Sequence, residues 1–121
     1  MSIHIESDYG RIDISTDAIA QIAGTAATQC YGVVGMASNN QLKDGLAVIL
    51  RRENYAKGVQ IRSENDMIDI DLFVVLGYGV KISEVSLEIQ KKVRYDVEQH
   101  FGKKVRSVNV YVQGVRVIDE N

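Results

Sequence analysis

The period of polar and apolar positions changes several times along this chain, and each change marks an element. Arg11-Ile12-Asp13-Ile14-Ser15 alternates polar and apolar, the period of a half-buried strand. The pattern then becomes helical: Ile19, Ile22, Ala23, Ala26 and Cys30 fall on one side. Ser15 or Thr16 offers a hydroxyl to the first free helical N–H groups, and Asp17 sits at the positive end of the helix dipole. Ala23, Gly24, Ala26 and Ala27 are small enough for close packing on a neighbour. The spacing predicts that Gly32 closes this helix as its left-handed cap, with Val33 and Val34 returning to the core.

Beyond Tyr31-Gly32-Val33-Val34-Gly35-Met36, Ser38 and Gln41 have capping-box spacing. Leu42, Leu46, Ile49 and Leu50 follow at i, i+4, i+7 and i+8, which predicts a second helix, weakened by Gly45 and ended by a left-handed Gly58. Val59 to Arg62 alternates as a strand, Glu64-Asn65-Asp66 supplies turn chemistry, and Ile68 to Leu76 alternates again, so the pair reads as an antiparallel hairpin. Ile68, Ile70, Leu72, Val74 and Leu76 share the core face, while Asp69 and Asp71 are expected to point to water. Gly77-Tyr78-Gly79 breaks the strand, and Ser83 is the expected cap of the last helix. Val85, Ile89, Val93 and Val97 form its buried stripe, with Ile82 and Phe101 at the ends and Gly102 as the stop. Val108, Val110 and Val112 then alternate with Asn109 and Tyr111 in a final strand.

The predicted order is β-α-(α)-β-β-α-β. It gives an α/β (α+β) two-layer sandwich with a mixed, roughly four-stranded sheet and helices on one face. Residues 9–118 read as a single domain, after a flexible N-terminal segment 1–8 and before a short tail 119–121. The length of 121 residues suits one domain with a proper core.

Composition narrows the function classes. The net charge of −2 supplies no global attraction to nucleic acid or anionic lipid. A single cysteine, Cys30, rules out an intramolecular disulfide and fits a reducing compartment. The first residues lack the basic-then-apolar pattern of a secretory signal, and apolar runs such as Leu72-Phe73-Val74-Val75-Leu76 are far shorter than a spanning helix. These features lead to the expectation of a cytoplasmic protein without direct membrane insertion.

Candidate chemistry is sparse. The histidines are His4, near the N-terminus, and His100, at a helix end; neither has a local partner for Cys30, which sits on the apolar stripe of its helix as a small hydrophobe. Asp66, Asp69 and Asp71 have the spacing D-x-x-D-x-D, without the glycine or bidentate glutamate of a calcium loop. Gly77-Tyr78-Gly79 lacks the third glycine of a dinucleotide loop, and no cofactor site is expected. Gly32-Val33-Val34-Gly35 is the sharper candidate. Strand, helix, G-x-x-G, helix, strand is the order of a minimal KH core, in which such a loop clamps a nucleic-acid backbone. Lys43, Arg51 and Arg52 would supply charge nearby, but both residues between the glycines are valines rather than basic.

Several segments in order resemble a known family. They are Gly10-Arg11-Ile12-Asp13-Ile14-Ser15, the small-residue helix leading to Gly32-Val33-Val34-Gly35, Lys57-Gly58-Val59, Ile68-Asp69-Ile70-Asp71-Leu72 with Tyr78-Gly79-Val80, and Val108 to Val115. The chain resembles the alkaline-shock, or general-stress, envelope-stress-response family of Gram-positive bacteria in its short YloU-like form. The resemblance implies a non-enzymatic cytosolic protein of cell-envelope homeostasis, without catalytic residues, metal or cofactor. It also implies protein partners: a small membrane-anchored protein that holds it at the inner face of the membrane, a kinase-like protein of the dihydroxyacetone- or fatty-acid-kinase type, or further copies of itself. Gln29-Cys30-Tyr31 departs from the acidic residue and proline common in this family, as does Ser83 from a proline. The expected contact surfaces are a sheet edge and the helix face Leu87, Lys91, Arg94 and Tyr95. The alternative is a KH-like nucleic-acid module using Gly32 to Gly35 with Lys43, Arg51 and Arg52.

Overall fold

The computed structural model describes residues 2–43 and 46–117, with backbone alone for 39–43, 46 and 47. Strand β1 (Ser2–Ser7) pairs antiparallel with β2 (Gly10–Ser15), setting Ile3 opposite Ile14. Ile3 is buried in the main core, so the N-terminal segment contributes an apolar side chain to the domain. Ser15 caps α1 (Thr16–Thr28), its Oγ accepting the Ala18 N–H at 3.1 Å. The small-residue face of α1 buries Ala20, Ala23, Gly24, Ala26 and Ala27 beside Ile19. A Cβ on Gly24 would lie 2.8 Å from the Tyr55 Cβ, which explains a glycine inside a helix.

Gly32 is not the cap of this helix. The helix ends at Gln29 in right-handed conformation, its N–H bonded to Thr25 and Ala26 carbonyls. Gly32, with φ +90°, turns the chain into β3 (Val33–Lys43), which pairs antiparallel with β4 (Leu46–Ile49). The second helix expected from Ser38, Leu42, Leu46 and Ile49 does not form. A short apolar pattern with an interior glycine fits two strands as well as a helix, and tertiary pairing decides. Val33, Gly35 and Met36 stand opposite Leu76, Val75 and Val74 of the central strand, and the Leu50 N–H reaches the Met36 carbonyl at 2.8 Å. Among the described residues of this stretch the helical turn is a 3₁₀ segment, Arg52–Gly58. Gly58 is not left-handed; it is needed because a Cβ there would stand 2.6 Å from the Ala37 carbonyl oxygen.

Strands β5 (Val59–Glu64) and β6 (Met67–Gly77) form the expected hairpin, with Asn65 and Asp66 at φ 52° and 64°, the two positive values a tight hairpin turn requires. Helix α2 (Ile82–Phe101) starts from Lys81 without a side-chain cap, so Ser83 lies inside its first turn rather than capping it. Gly102, with φ +69°, stops it as expected, its N–H bonded to the Glu98 carbonyl at 2.9 Å. Strand β7 (Lys104–Arg116) runs parallel to β6 along its whole length.

The architecture is the expected mixed α+β class, with five strands in the main sheet rather than four. Strand β6 is central: β7 covers one edge, β5 and β3 share the other, and β4 lies beyond β3. Ile68, Ile70, Leu72, Val74 and Leu76 are fully buried against Ile19, Ala23 and Ala27 of α1 and Ile89, Val93 and Val97 of α2. Both helices therefore cover one face of the sheet.

Candidate functional site

The face of the sheet away from the helices carries Asp69, Asp71, Phe73 and Val75 of β6. Asp69 and Asp71 do not point into water; they are 5% and 7% exposed. The flanking strands explain this. Asp69 accepts hydrogen bonds from the Arg106 guanidinium, through Nε at 3.1 Å and through Nη2, and from Ser107 Oγ at 2.7 Å. Asp71 accepts from Arg62 Nη2 and Asn109 Nδ2, both at 2.9 Å. Buried carboxylates on a central strand need such partners, and β5 and β7 supply them. Further along, Phe73 stacks on Tyr111 with centroids 5.0 Å apart, and Val75 packs on Ala37 and Ile49. Asp66 lies apart from this ladder, against Lys103 at 3.4 Å. Among the described residues no three His, Cys, Asp or Glu side chains gather to hold a metal.

The Arg106 and Ser107 hydrogen bonds hold the Asp69 carboxyl at about 2, below its ordinary 3.8. A depressed carboxylate stabilises the fold fully above the unfolded value and loses that contribution as pH falls through the folded one. Asp69→Asn should therefore lose most against the wild type at neutral pH. The gap in urea midpoint should close as pH drops from about 4 to about 2; a gap independent of pH would show that Asp69 acts through packing alone.

The remaining feature of the sheet is an open edge. Among the described residues strand β7 pairs with β6 alone, and its residues alternate in which edge their backbone groups face. The Val108 carbonyl accepts from a side chain of α2 on the side away from β6, so Val108 and, by alternation along the unbroken register, Val110 and Val112 turn their N–H and C=O groups outward. Helix α2 closes part of this edge. Gln90 Nε2 donates to the Val108 carbonyl at 2.9 Å, and Glu98 Oε2 accepts from the Val105 N–H at 2.9 Å. Between the helix and the edge lies a groove of about 380 Å³, lined by Leu87, Gln90, Lys91 and Arg94 of α2 and by residues Val105 to Asn109 of β7.

A family model described as the alkaline shock protein 23 family, cell envelope-related function, matches residues 4–117. The chain belongs to this family. The YloU protein of Bacillus subtilis is 57% identical over 117 residues, 97% of this chain and 98% of that one. A Streptococcus pyogenes protein is 46% identical over 121 residues and covers both chains completely. The more distant YqhY of Bacillus subtilis is 27% identical over 113 residues, 93% of this chain and 82% of its own. Among solved structures, the MamM CTD in its copper form superposes with a TM-score of 0.50 at 15% identity, covering 87% of this chain and 91% of that one, a likeness of fold alone.

In this alkaline-shock family member, Leu87, Lys91 and Arg94 line the β7 groove together, as one helix face should. Tyr95 is exposed but lies outside that lining. Gly32, Val33, Val34 and Gly35 are not a loop between two helices. Gly32 is a turn residue, Val33 packs on the core, Val34 is partly exposed and Gly35 is buried in β3. A Cβ on Gly35 would meet Ile49 at 2.8 Å. Arg51 and Arg52 are exposed at the start of the 3₁₀ segment, where the Arg52 carbonyl accepts from Gln21 Nε2 at 2.7 Å; the Lys43 side chain lies outside the described residues.

Cys30 borders a second cleft of about 370 Å³ with Tyr31, Val85 and Glu88, and no histidine lines it. Its Sγ lies 3.7 Å from the Ala26 carbonyl, and burial pushes the thiol up, away from the reactive thiolate. His4 pairs with Asp13, and His100 Nδ1 lies 2.8 Å from the Asp96 carbonyl. Sequence reasoning missed Gln90, Arg106, Ser107 and Asn109. The hairpin register could have placed Arg62 beside the aspartates, but no local signal sets the parallel register that brings Arg106, Ser107 and Asn109 there.

Proposed function

We propose that this chain is a non-catalytic interaction module of the cell envelope, which docks a protein partner on the β7 edge and the groove beneath α2. The observation that carries the reading is the outward row of backbone groups on β7 beside an exposed apolar residue, Leu87, on the overhanging helix. An unpaired edge is a template for strand addition, in which main-chain hydrogen bonds give affinity and neighbouring side chains give specificity. The family description, cell envelope-related function, supplies the setting. No helix of the described residues is long and apolar enough to cross a membrane, so association with the inner face of the membrane would run through a partner such as a small membrane-anchored protein. A kinase-like protein or a further copy of the chain are the other partners in view.

The test is affinity purification at native expression level, with membrane and soluble fractions separated, of wild type and Leu87→Asp. Leu87 is 49% exposed, so the charge should leave the fold intact by circular dichroism. Wild type should recover a partner that Leu87→Asp loses. A partner-free soluble monomer for wild type would count against the reading.

A further inference from the structure

We propose that the occupant of the β7 edge is an extended segment of another protein that alternates acidic and apolar residues, with its acidic side chains on Lys91 and its neighbours. This rests on the β7-edge reading above and specifies the partner's chemistry. The groove lining contains three cations, Lys91, Arg94 and Arg106, and no carboxylate. Arg94 already faces Glu98 at 3.7 Å, and Arg106 is bonded to Asp69. Lys91 meets no carboxylate among the described residues, so one positive charge beside the edge is unbalanced.

The backbone geometry argues for a peptide rather than another polyanion. Among the described residues no partner meets the outward N–H and C=O groups of Val110 and Val112, and the carbonyls need donors, which a main chain supplies and a row of phosphates does not. A strand added there runs toward Val108 and Val105, where Gln90 and Glu98 already occupy the edge. Its continuation therefore meets side chains instead of backbone: Leu87 for an apolar residue, Lys91 for an acidic one. Period-two alternation would bring every second side chain of the added strand to that helix side.

Charge also disfavours a second copy of this chain in the groove. Strand β7 itself, KVRSVNVYVQGVR, contains Lys104, Arg106 and Arg116 and no acidic residue. Pairing it antiparallel with its own copy around Val110 would set Lys104 against Arg116 and bring further cations toward Lys91 and Arg94. Like charges across an interface cost affinity and exclude wrong partners.

The experiment titrates the full chain with three fluorescent heptapeptides that alternate valine with glutamate, glutamine or lysine, and with a uridine oligonucleotide, at fixed moderate salt. The glutamate peptide should bind at least about ten-fold more tightly than the glutamine peptide, and Lys91→Glu should remove that preference with an unchanged circular dichroism spectrum. Val110→Pro removes an outward N–H and should weaken both peptides alike; Tyr111 replaced by a photo-crosslinking amino acid reports occupancy of the edge independently of that variant's folding. Equal binding of the glutamate and glutamine peptides, with crosslinks at position 111, would leave the edge reading standing and overturn the acidic preference. Absence of any peptide binding or crosslink would overturn both. Displacement of the glutamate peptide by the oligonucleotide, or crosslinking of the chain to its own copy in preference to the peptide, would overturn the proposed occupant.

Discussion

Gly32→Ala should destabilise the protein far more than Gly79→Ala, although both glycines hold φ +90°. A side chain in left-handed backbone costs about 1–2 kcal/mol by itself. At Gly79 nothing lies within 4 Å of the added Cβ, so that cost is the whole effect. At Gly32 the Cβ would stand 3.0 Å from Val85 Cγ2 and 3.2 Å from Val80 Cγ1. Those contacts join the turn to Val85 in the first turn of α2 and to Val80 just before it, and crowding of this kind adds about 1–3 kcal/mol. Urea unfolding of the two variants measures the difference directly. Equal losses would mean that the α2 N-terminus yields to the extra methyl and that Gly32 serves only the turn.

The second large effect is expected on the central strand. Ile70→Ala should cost about 2–5 kcal/mol, the range for deleting a fully buried isoleucine in a core that cannot collapse around the cavity. Ile70 is completely covered, with β5 and β7 on either side and the two helices above. Its cross-strand partner in the hairpin, Ile61, packs on the same core from a less covered position. Ile61→Ala should cost at most about half as much, because less apolar area is removed from water there. Losses of the same size in both variants would show that hairpin pairing, rather than depth in the core, sets the contribution.

The Gly32-Val33-Val34-Gly35 stretch shows how one motif can match a binding loop and be something else. The glycines suit a phosphate clamp by spacing. Their structural reasons are separate: a turn at Gly32, and close approach of Ile49 at Gly35. Between them, Val33 faces the core and Val34 is 36% exposed. A working loop would hold both side chains and the backbone toward one ligand; a strand sends successive side chains to opposite faces. The same logic corrects the aspartates. Their alternation on β6 was legible, and so was their separation from the core face. Their burial was not, because it depends on what the two neighbouring strands bring alongside.

The candidate interaction surface was half legible for a related reason. Leu87, Lys91 and Arg94 stand off the buried stripe of α2, so the spacing alone marks them as a second helix face. What that face overhangs is a tertiary fact. Gln90 and Glu98 reach the edge of β7, and the groove exists only because α2 crosses from β6 to lie along that strand.

By itself, the sequence determined the elements whose signals are short-range: the β2 alternation and Ser15 cap, the small-residue face of α1, the β5–β6 hairpin with its Asn65-Asp66 turn, the valine stripe of α2 with its Gly102 stop, and the final strand. It also determined the family, through the order of those segments. Only the tertiary structure decided whether residues 33–43 and 46–49 are helix or paired strands, because that pattern suits both and pairing with Val74 to Leu76 breaks the tie. It alone joined Asp69 to Arg106 and Ser107 across 37 and 38 residues, and it alone left β7 at the edge. A hairpin turn fixes its register locally, whereas a parallel register is transmitted through a whole intervening helix and is settled only when that helix packs.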